Sequence, residues 1–295
     1  MAIHAKKVLF IGYYFPPCAG VGILRTSKLT KYLSQLGYEL TVFTAKEDQY
    51  PSVEVKNLEE IPDTVKVLRQ SFFEPHRLYQ FFTGVRSATE ANNALVLNAS
   101  RKNFLHHFAV WIRSNFFIPD ARMYWIKPSV RFLTSYLQEN PVEVIISTGP
   151  PHSAHLIALA LKKRWANAVY WIADFQDPWT QVDYYQYLHL TSWADRKHRR
   201  LEQEVFRHAN CITTVSESWK HDLLAIGAHN VHSIPLGYDK DDFTNIVPEL
   251  DHDFTITHAG LLGADRVPFS LLSSLADLAN ANLEFCRRVR LRLAG

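Results

Sequence analysis

Asp174 and Asp177 stand three residues apart in the segment Ile172-Ala173-Asp174-Phe175-Gln176-Asp177-Pro178-Trp179. They follow a β-branched and aromatic run, Val169–Ala173, that reads as a strand. Carboxylates there sit at the carboxyl edge of an open α/β sheet, where such sheets bind ligands. At that place they could exchange a proton with a substrate hydroxyl. Asp177, before Pro178, also suits a turn or helix cap. A second edge segment, Thr148-Gly149-Pro150-Pro151-His152-Ser153, follows the strand-like Val142–Ser147. Thr148 and His152 could contact a sugar or phosphate there, and His152 could move a proton. Ser147 and Ser153 have no His–Asp partners in a triad order, so nucleophilic catalysis is not expected.

Glycines supply a different chemistry. The loop Pro16-Pro17-Cys18-Ala19-Gly20-Val21-Gly22 precedes a helical run, so the backbone amides of Gly20, Val21 and Gly22 can approach a phosphate at a helix N-terminus. The spacing is wrong for a dinucleotide fingerprint: Gly20 lies eight residues beyond Gly12, and Arg25 stands where the third glycine belongs. Arg25 is a cation in the first helical turn, unfavourable against the helix dipole unless it meets an anion, either a ligand or a nearby Asp. Gly260, Gly263 and Arg266 form a second phosphate-competent loop. Ser216 and Glu217 end a strand and begin a helix, where Ser216 is either an N-cap or a ligand contact.

The elements that must hold these residues read as an α/β chain. Val8–Gly12 is a buried strand, about Gly22 to Leu36 a helix with Leu29, Tyr32, Leu33 and Leu36 on one face, and Leu40–Thr44 a strand. Further strands are expected at Val65–Leu68, Cys211–Val215 and His232–Pro235, with helices at Ala154–Arg164, Trp193–Arg207 and Glu217–Ile226. A helical, irregular insertion occupies about 76–135. The polar stretch 239–253 reads as a linker, giving a domain over 1–246 and, over 247–295, the linker and the opening β–loop–α–β of a second Rossmann-like unit. That second unit is expected to be incomplete.

Composition narrows the classes. A net charge of +3 gives no case for nucleic acid. Cys18, Cys211 and Cys286 are too widely spaced for a disulfide framework or a Cys-rich zinc site, and suit a reducing cytoplasm. The uncharged runs 8–24 and 144–161 each contain a Pro-Pro pair, so neither reads as a membrane span. Residues 101–131 carry six Lys/Arg against one acid, Asp120, interleaved with Phe104, Phe108, Trp111, Phe116 and Phe117. Such a face can pack as an ordinary surface helix or lie on an anionic membrane.

Together these segments resemble the family-4 retaining glycosyltransferases of the GT-B fold. Gly12–Thr44 resembles that family's N-terminal glycine loop, helix and strand, and Ile212–Phe243 its Val-Ser, Ile-Pro, Gly and Asp signature. Phe117–Arg122, Ile146–His155 and Asp174–Thr180 are similar to a bacterial subgroup, in which Arg is usual at the place of Gln176. The resemblance implies two facing Rossmann-like domains and transfer of a sugar from a nucleotide-diphosphate donor to an acceptor hydroxyl on a glycan or lipid-linked molecule. It implies no cofactor and no metal. Gly20, Val21, Gly22, Gly260, Gly263 and Arg266 would lie at the donor phosphates. His152, Asp174 and Asp177 would face the chemistry, and Arg25, Thr148, Ser216 and Glu217 the acceptor or another ligand. The family's Glu-x7-Glu donor-sugar region would fall beyond Gly295, so the chain alone is expected to have little activity, at the inner face of a cytoplasmic membrane. Two other readings stay open: a non-catalytic anion- or partner-binding module, and a sugar-nucleotide epimerase.

Overall fold

The computed structural model of the chain describes residues 6–73, 104–244, 247, 249–260, 262 and 267–294. Two compact units divide after Gly237. The polar stretch expected as a linker belongs with the second unit, where Asp253 pairs with Arg290 at 3.0 Å and Asp251 with Arg292 at 3.4 Å.

The first unit is built on seven strands: β1 (Lys7–Ile11), β2 (Glu39–Ala45), β3 (Lys66–Gln70), β4 (Val144–Gly149), β5 (Tyr170–Phe175), β6 (Cys211–Thr214) and β7 (Val231–Ser233). All pair in parallel, in the order β3-β2-β1-β4-β5-β6-β7. Parallel sheets need cover on both faces, and the strands are apolar on both sides. In β1, Leu9 and Ile11 enter one core with Trp125, Leu133, Ile157 and Trp171. Val8 and Phe10 enter a second core with Leu40, Val42 and the half-buried Leu29 and Leu33.

The described helices of this unit are α1 (Leu24–Gln35), α2 (Phe104–Phe116), α3 (Met123–Glu139), α4 (Ser153–Trp165), α5 (Ser192–His208) and α6 (Glu217–Ala225). Residues 76–103 of the expected insertion, and 101–103 of the basic stretch, lie outside the described residues. α1 stops as its sequence requires. Gly37 has φ +85°, its N–H donates to Ser34 O at 3.0 Å, and Tyr38 N–H donates to Leu33 O at 3.1 Å, a Schellman ending.

The face of α1 differs from its apolar pattern. Tyr32 and Leu36 are exposed, whereas Arg25, Thr26, Ser27 and Thr30 are buried. The small polar side chains can be buried because they bond their own helix: Thr30 Oγ1 donates to Thr26 O at 2.7 Å and Ser27 Oγ to Leu24 O at 3.2 Å.

The second unit pairs β8 (Phe254–Ala259) with β9 (Val289–Ala294) in parallel, with helices α7 (Phe269–Ala281) and α8 (Leu283–Arg288) between them. The helical part of the expected β–loop–α–β divides at Asn282, whose side chain caps α8 by accepting from Phe285 N–H at 3.0 Å. Among the described residues, no helix is long and apolar enough to cross a membrane.

Candidate functional site

The strand order reverses between β1 and β4, and the carboxyl ends of these neighbours define the crevice of the sheet. Gly12, just past β1, allows close approach there: a Cβ on it would stand 3.2 Å from Thr148 Cγ2 and 3.4 Å from Thr26 Cγ2.

Register assembles the polar centre beside this crevice. Thr148 on β4 is opposite Asp174 on β5, and Asp174 is opposite Thr213 on β6, so three polar side chains lie in a row across three strands. Thr148 Oγ1 donates to Asp174 Oδ2 at 2.9 Å and Thr213 Oγ1 donates to Oδ1 at 2.7 Å. Arg25 comes down from the first turn of α1 and grips both oxygens, Nη2 to Oδ1 at 2.7 Å and Nε to Oδ2 at 3.0 Å. Its Nη1 donates to Ile234 O at 2.9 Å. Arg25 is 7 % exposed and Asp174 2 %. The anion that Arg25 requires is therefore Asp174, and both carboxylate oxygens are occupied from within the fold.

Two other carboxylates, the half-buried Asp120 and the buried Glu202, fasten loops at the same edge. Asp120 accepts from Ser153 N at 2.8 Å and Ser153 Oγ at 2.7 Å, tying the start of α4, and from Arg122 N at 2.8 Å. Glu202 on α5 accepts from Thr180 N at 3.1 Å and Thr180 Oγ1 at 2.6 Å, tying the end of the segment after β5. Burial raises the pKa of both groups, and the bonds from Ser153 and Thr180 oppose it.

His152 lies in a packed aromatic stack. Its ring is parallel to Trp179 at 4.8 Å, and His155 stacks on Phe175 at 4.4 Å. Trp179 Nε1 donates to His198 Nδ1 at 3.0 Å, and Trp171 Nε1 to Ser147 Oγ at 2.9 Å, which meets His155 Nδ1 at 2.9 Å. His152 Nδ1 and His155 Nε2 are buried without a hydrogen-bond partner. Burial holds His155 down to about 3, and burial followed by the neighbouring histidines holds His152 well below its usual range. Both rings are neutral near pH 7.

Asp177 stands in contrast. It is half-buried, and no hydrogen bond or ion pair reaches its carboxylate among the described residues. Burial and then the charge of Asp183 raise its pKa, and burial followed by these two carboxylates raises that of Tyr184. Gln176 is anchored twice: its N–H donates to Gly149 O at 2.9 Å and its Nε2 to Thr148 Oγ1 at 2.7 Å.

The glycine loop reaches α1 through a single 3₁₀ turn, Val21–Ile23. Gly20 has φ +103°, and open space surrounds the Cβ positions of Gly20 and Gly22. Ile23, the residue before α1, provides no side-chain cap. Ser216 is an N-cap, accepting from Trp219 N–H at 3.2 Å, and Glu217 pairs with Lys220 at 3.1 Å. Gly260, in the second unit, has φ +126° and donates to Ala294 O at 2.7 Å. Gly263 and Arg266 lie outside the described residues. Among the described residues no group of three His, Cys, Asp or Glu is arranged to hold a metal ion.

Asp120, Thr213, His155 and Glu202 were not singled out from the sequence. Glu202 carried a legible signal: Ala194, His198, Glu202 and Val205 recur at helical spacing, and all four are buried. Asp120 lay within the quoted segment Phe117–Arg122, but its tie to Ser153, 33 positions away, had no local signal.

Residues 23–237 match the family model described as "Glycosyl transferase 4-like domain". No curated protein matches the chain in sequence. Among solved structures, the chain is similar to apo UGT2 from Phytolacca americana, at 12% identity and TM-score 0.51, over 99% of this chain and 73% of that one. It is similar at TM-score 0.50 and 12% identity to the N-terminal domain of trehalose-6-phosphate phosphatase from Candida albicans, over 98% and 64%. A Listeria monocytogenes protein described as a UDP-N-acetylglucosamine 2-epimerase aligns at TM-score 0.47 and 9% identity, over 98% of this chain but 62%, less than two thirds, of its own. Likeness at these identities speaks for the fold alone.

Proposed function

The chain belongs to the glycosyl transferase 4-like family, and from that premise we propose that its first unit is the acceptor side of an enzyme moving a sugar, with retention, from a nucleotide diphosphate to an acceptor hydroxyl. The observation that carries this reading is the placement of two complementary features on one sheet edge. The uncapped start of α1 follows the open Gly20–Gly22 loop, and the unpartnered carboxylate of Asp177 follows β5.

In the reaction the bond from the anomeric carbon to the diphosphate oxygen breaks, a bond from that carbon to the acceptor oxygen forms, and the acceptor hydroxyl loses its proton. Backbone amides of Gly20, Val21 and Gly22 offset the negative charge growing on the departing diphosphate. Asp177 holds the acceptor hydroxyl and receives its proton, a task suited to a carboxylate whose pKa is raised. Arg25 and Asp174 touch neither substrate; they fix the first turn of α1 against β5. His152, neutral and stacked on Trp179, supports the loop before α4. Gly260 lies in the second unit, where its own N–H is taken by Ala294 O. Ser216 and Glu217 serve α6. The acceptor is a glycan or lipid-linked molecule, with peripheral membrane contact through 101–131. The exposed Phe108 and Phe116 of α2 support this.

Calorimetric titration of the chain with UDP, GDP and NAD tests the reading. Binding of a nucleoside diphosphate that weakens in Gly22→Ala is expected. Binding of NAD with neither diphosphate bound would overturn the proposal.

A further inference from the structure

The chain of hydrogen bonds leading from Arg25 to Gln176 has a direction, and that direction sets the polarity of a half-buried group. Asp174, ion-paired with Arg25 at 2.7 Å, is a carboxylate and can only accept hydrogen bonds. Thr148 has one hydroxyl proton, and it goes to Asp174 Oδ2 at 2.9 Å. The Thr148 oxygen therefore acts as acceptor toward Gln176, 2.7 Å away. Only the NH2 end of the Gln176 amide can donate, so the network itself settles the orientation of that amide. Its backbone is held as well, by Gly149 O at 2.9 Å. The carbonyl Oε1 is thereby turned away from Thr148, and among the described residues no donor satisfies it.

The next residue is Asp177, also without a hydrogen-bond partner, with the carboxylate of Asp183 close enough to act on it. Adjacent side chains at the mouth of the sheet edge thus present acceptors: an amide carbonyl and a carboxylate. Arg113 acts on nearby Tyr184 but is already engaged in an interaction of its own.

We infer that Gln176 is a specificity-determining residue of the acceptor subsite, which takes a sugar presenting hydrogen-bond donors, neutral hydroxyls or an ammonium group, and rejects one presenting a carboxylate or phosphate. Thr148 is the positioning residue that sets the Gln176 amide. This inference rests on the acceptor-side reading above. The discrimination comes from pairing: hydroxyl or ammonium protons satisfy Oε1 and Asp177, whereas an anion faces lone pairs and a like charge.

Ligand-observed NMR titration of the 295-residue chain with methyl glucoside, methyl glucosaminide and methyl glucuronide tests this. The glucoside and glucosaminide are expected to bind at least about tenfold more tightly than the glucuronide, or about 1.4 kcal/mol. Gln176→Arg should reverse that order. Thr148→Val should flatten it and Thr148→Ser preserve it, a pattern that a purely structural role for Thr148 does not produce. Equal or stronger binding of the glucuronide to the unaltered chain overturns the inference, as does absence of binding by all three. UDP and GDP titrated into the same samples report separately on the proposed function. Diphosphate binding without sugar discrimination sinks only this inference, and sugar discrimination without diphosphate binding sinks only the transferase reading.

Discussion

Arg25 and Asp174, 149 positions apart, form a bidentate ion pair in the interior, and through it the first turn of α1 is bolted to the tip of β5. The same guanidinium reaches Ile234 O, just past β7. One cation thus ties α1 both to β5 and to the chain just past β7.

Breaking this pair from one side leaves a buried charge alone. Asp174→Asn or Arg25→Met is expected to cost about 3–5 kcal/mol in urea denaturation. The double variant should lose less than the sum of the two, which a double-mutant cycle will read as coupling. Additive losses would show that the pair is not the unit.

Gly149 is needed for space. A Cβ there would stand 2.8 Å from His155 Nε2 and 3.1 Å from His152 Nδ1, rings that are themselves packed against Phe175 and Trp179. Gly149→Ala is expected to destabilise by about 1–3 kcal/mol. Gly22→Ala, with open space at its Cβ, should leave the thermal midpoint nearly unchanged. Calorimetry of both variants checks the contrast.

Asp177 should separate activity from stability. Its pKa is raised in the folded chain, so its ionisation at neutral pH works against folding. Asp177→Asn is expected to keep or slightly raise the thermal midpoint at pH 7 while weakening glycoside binding. A large loss of stability would instead mark Asp177 as a structural cap.

The buried imidazole of His155 gives an acid sensitivity of known sign. Its pKa falls from 6.5 to about 3 on folding, so below pH 6.5 the unfolded chain takes up a proton that the folded chain refuses. Its contribution is fully present above pH 6.5 and is lost as pH falls toward 3, by up to about 1.4 kcal/mol per pH unit. The raised carboxyls of Asp120 and Glu202 act in the opposite direction, since they favour folding in acid. Urea midpoints at pH 7, 6 and 5 should therefore decline less steeply in His155→Gln than in the unaltered chain.

The local elements were legible because their signals are local. Gly37 ends α1 where a residue without Cβ permits φ +85°, and Ser216 caps α6 through a bond only three residues long. The β-branched runs of β1, β4 and β5 announced a buried parallel sheet, and the segments quoted from Gly12 to Phe243 pointed to the family that residues 23–237 match. Even the demand of Arg25 for an anion could be read from its place in a first helical turn.

Which anion answers that demand could not be read in this way. Candidate carboxylates lie along the whole chain, and a charge is quenched only by the one that packing brings within 3 Å. Strand register made that choice: it aligned Thr148, Asp174 and Thr213 across three strands and set Asp174 beneath α1. Once Asp174 was occupied, the hydrogen-bond direction passed through Thr148 to Gln176, beside the half-buried Asp177, whose carboxylate has no hydrogen-bond partner among the described residues. The sequence by itself determined which residues stand at the sheet edge. Only the tertiary structure decided which of them are sealed into the frame and which keep unpaired polar atoms, because solvation and pairing belong to contacts between strands, not to order along the chain.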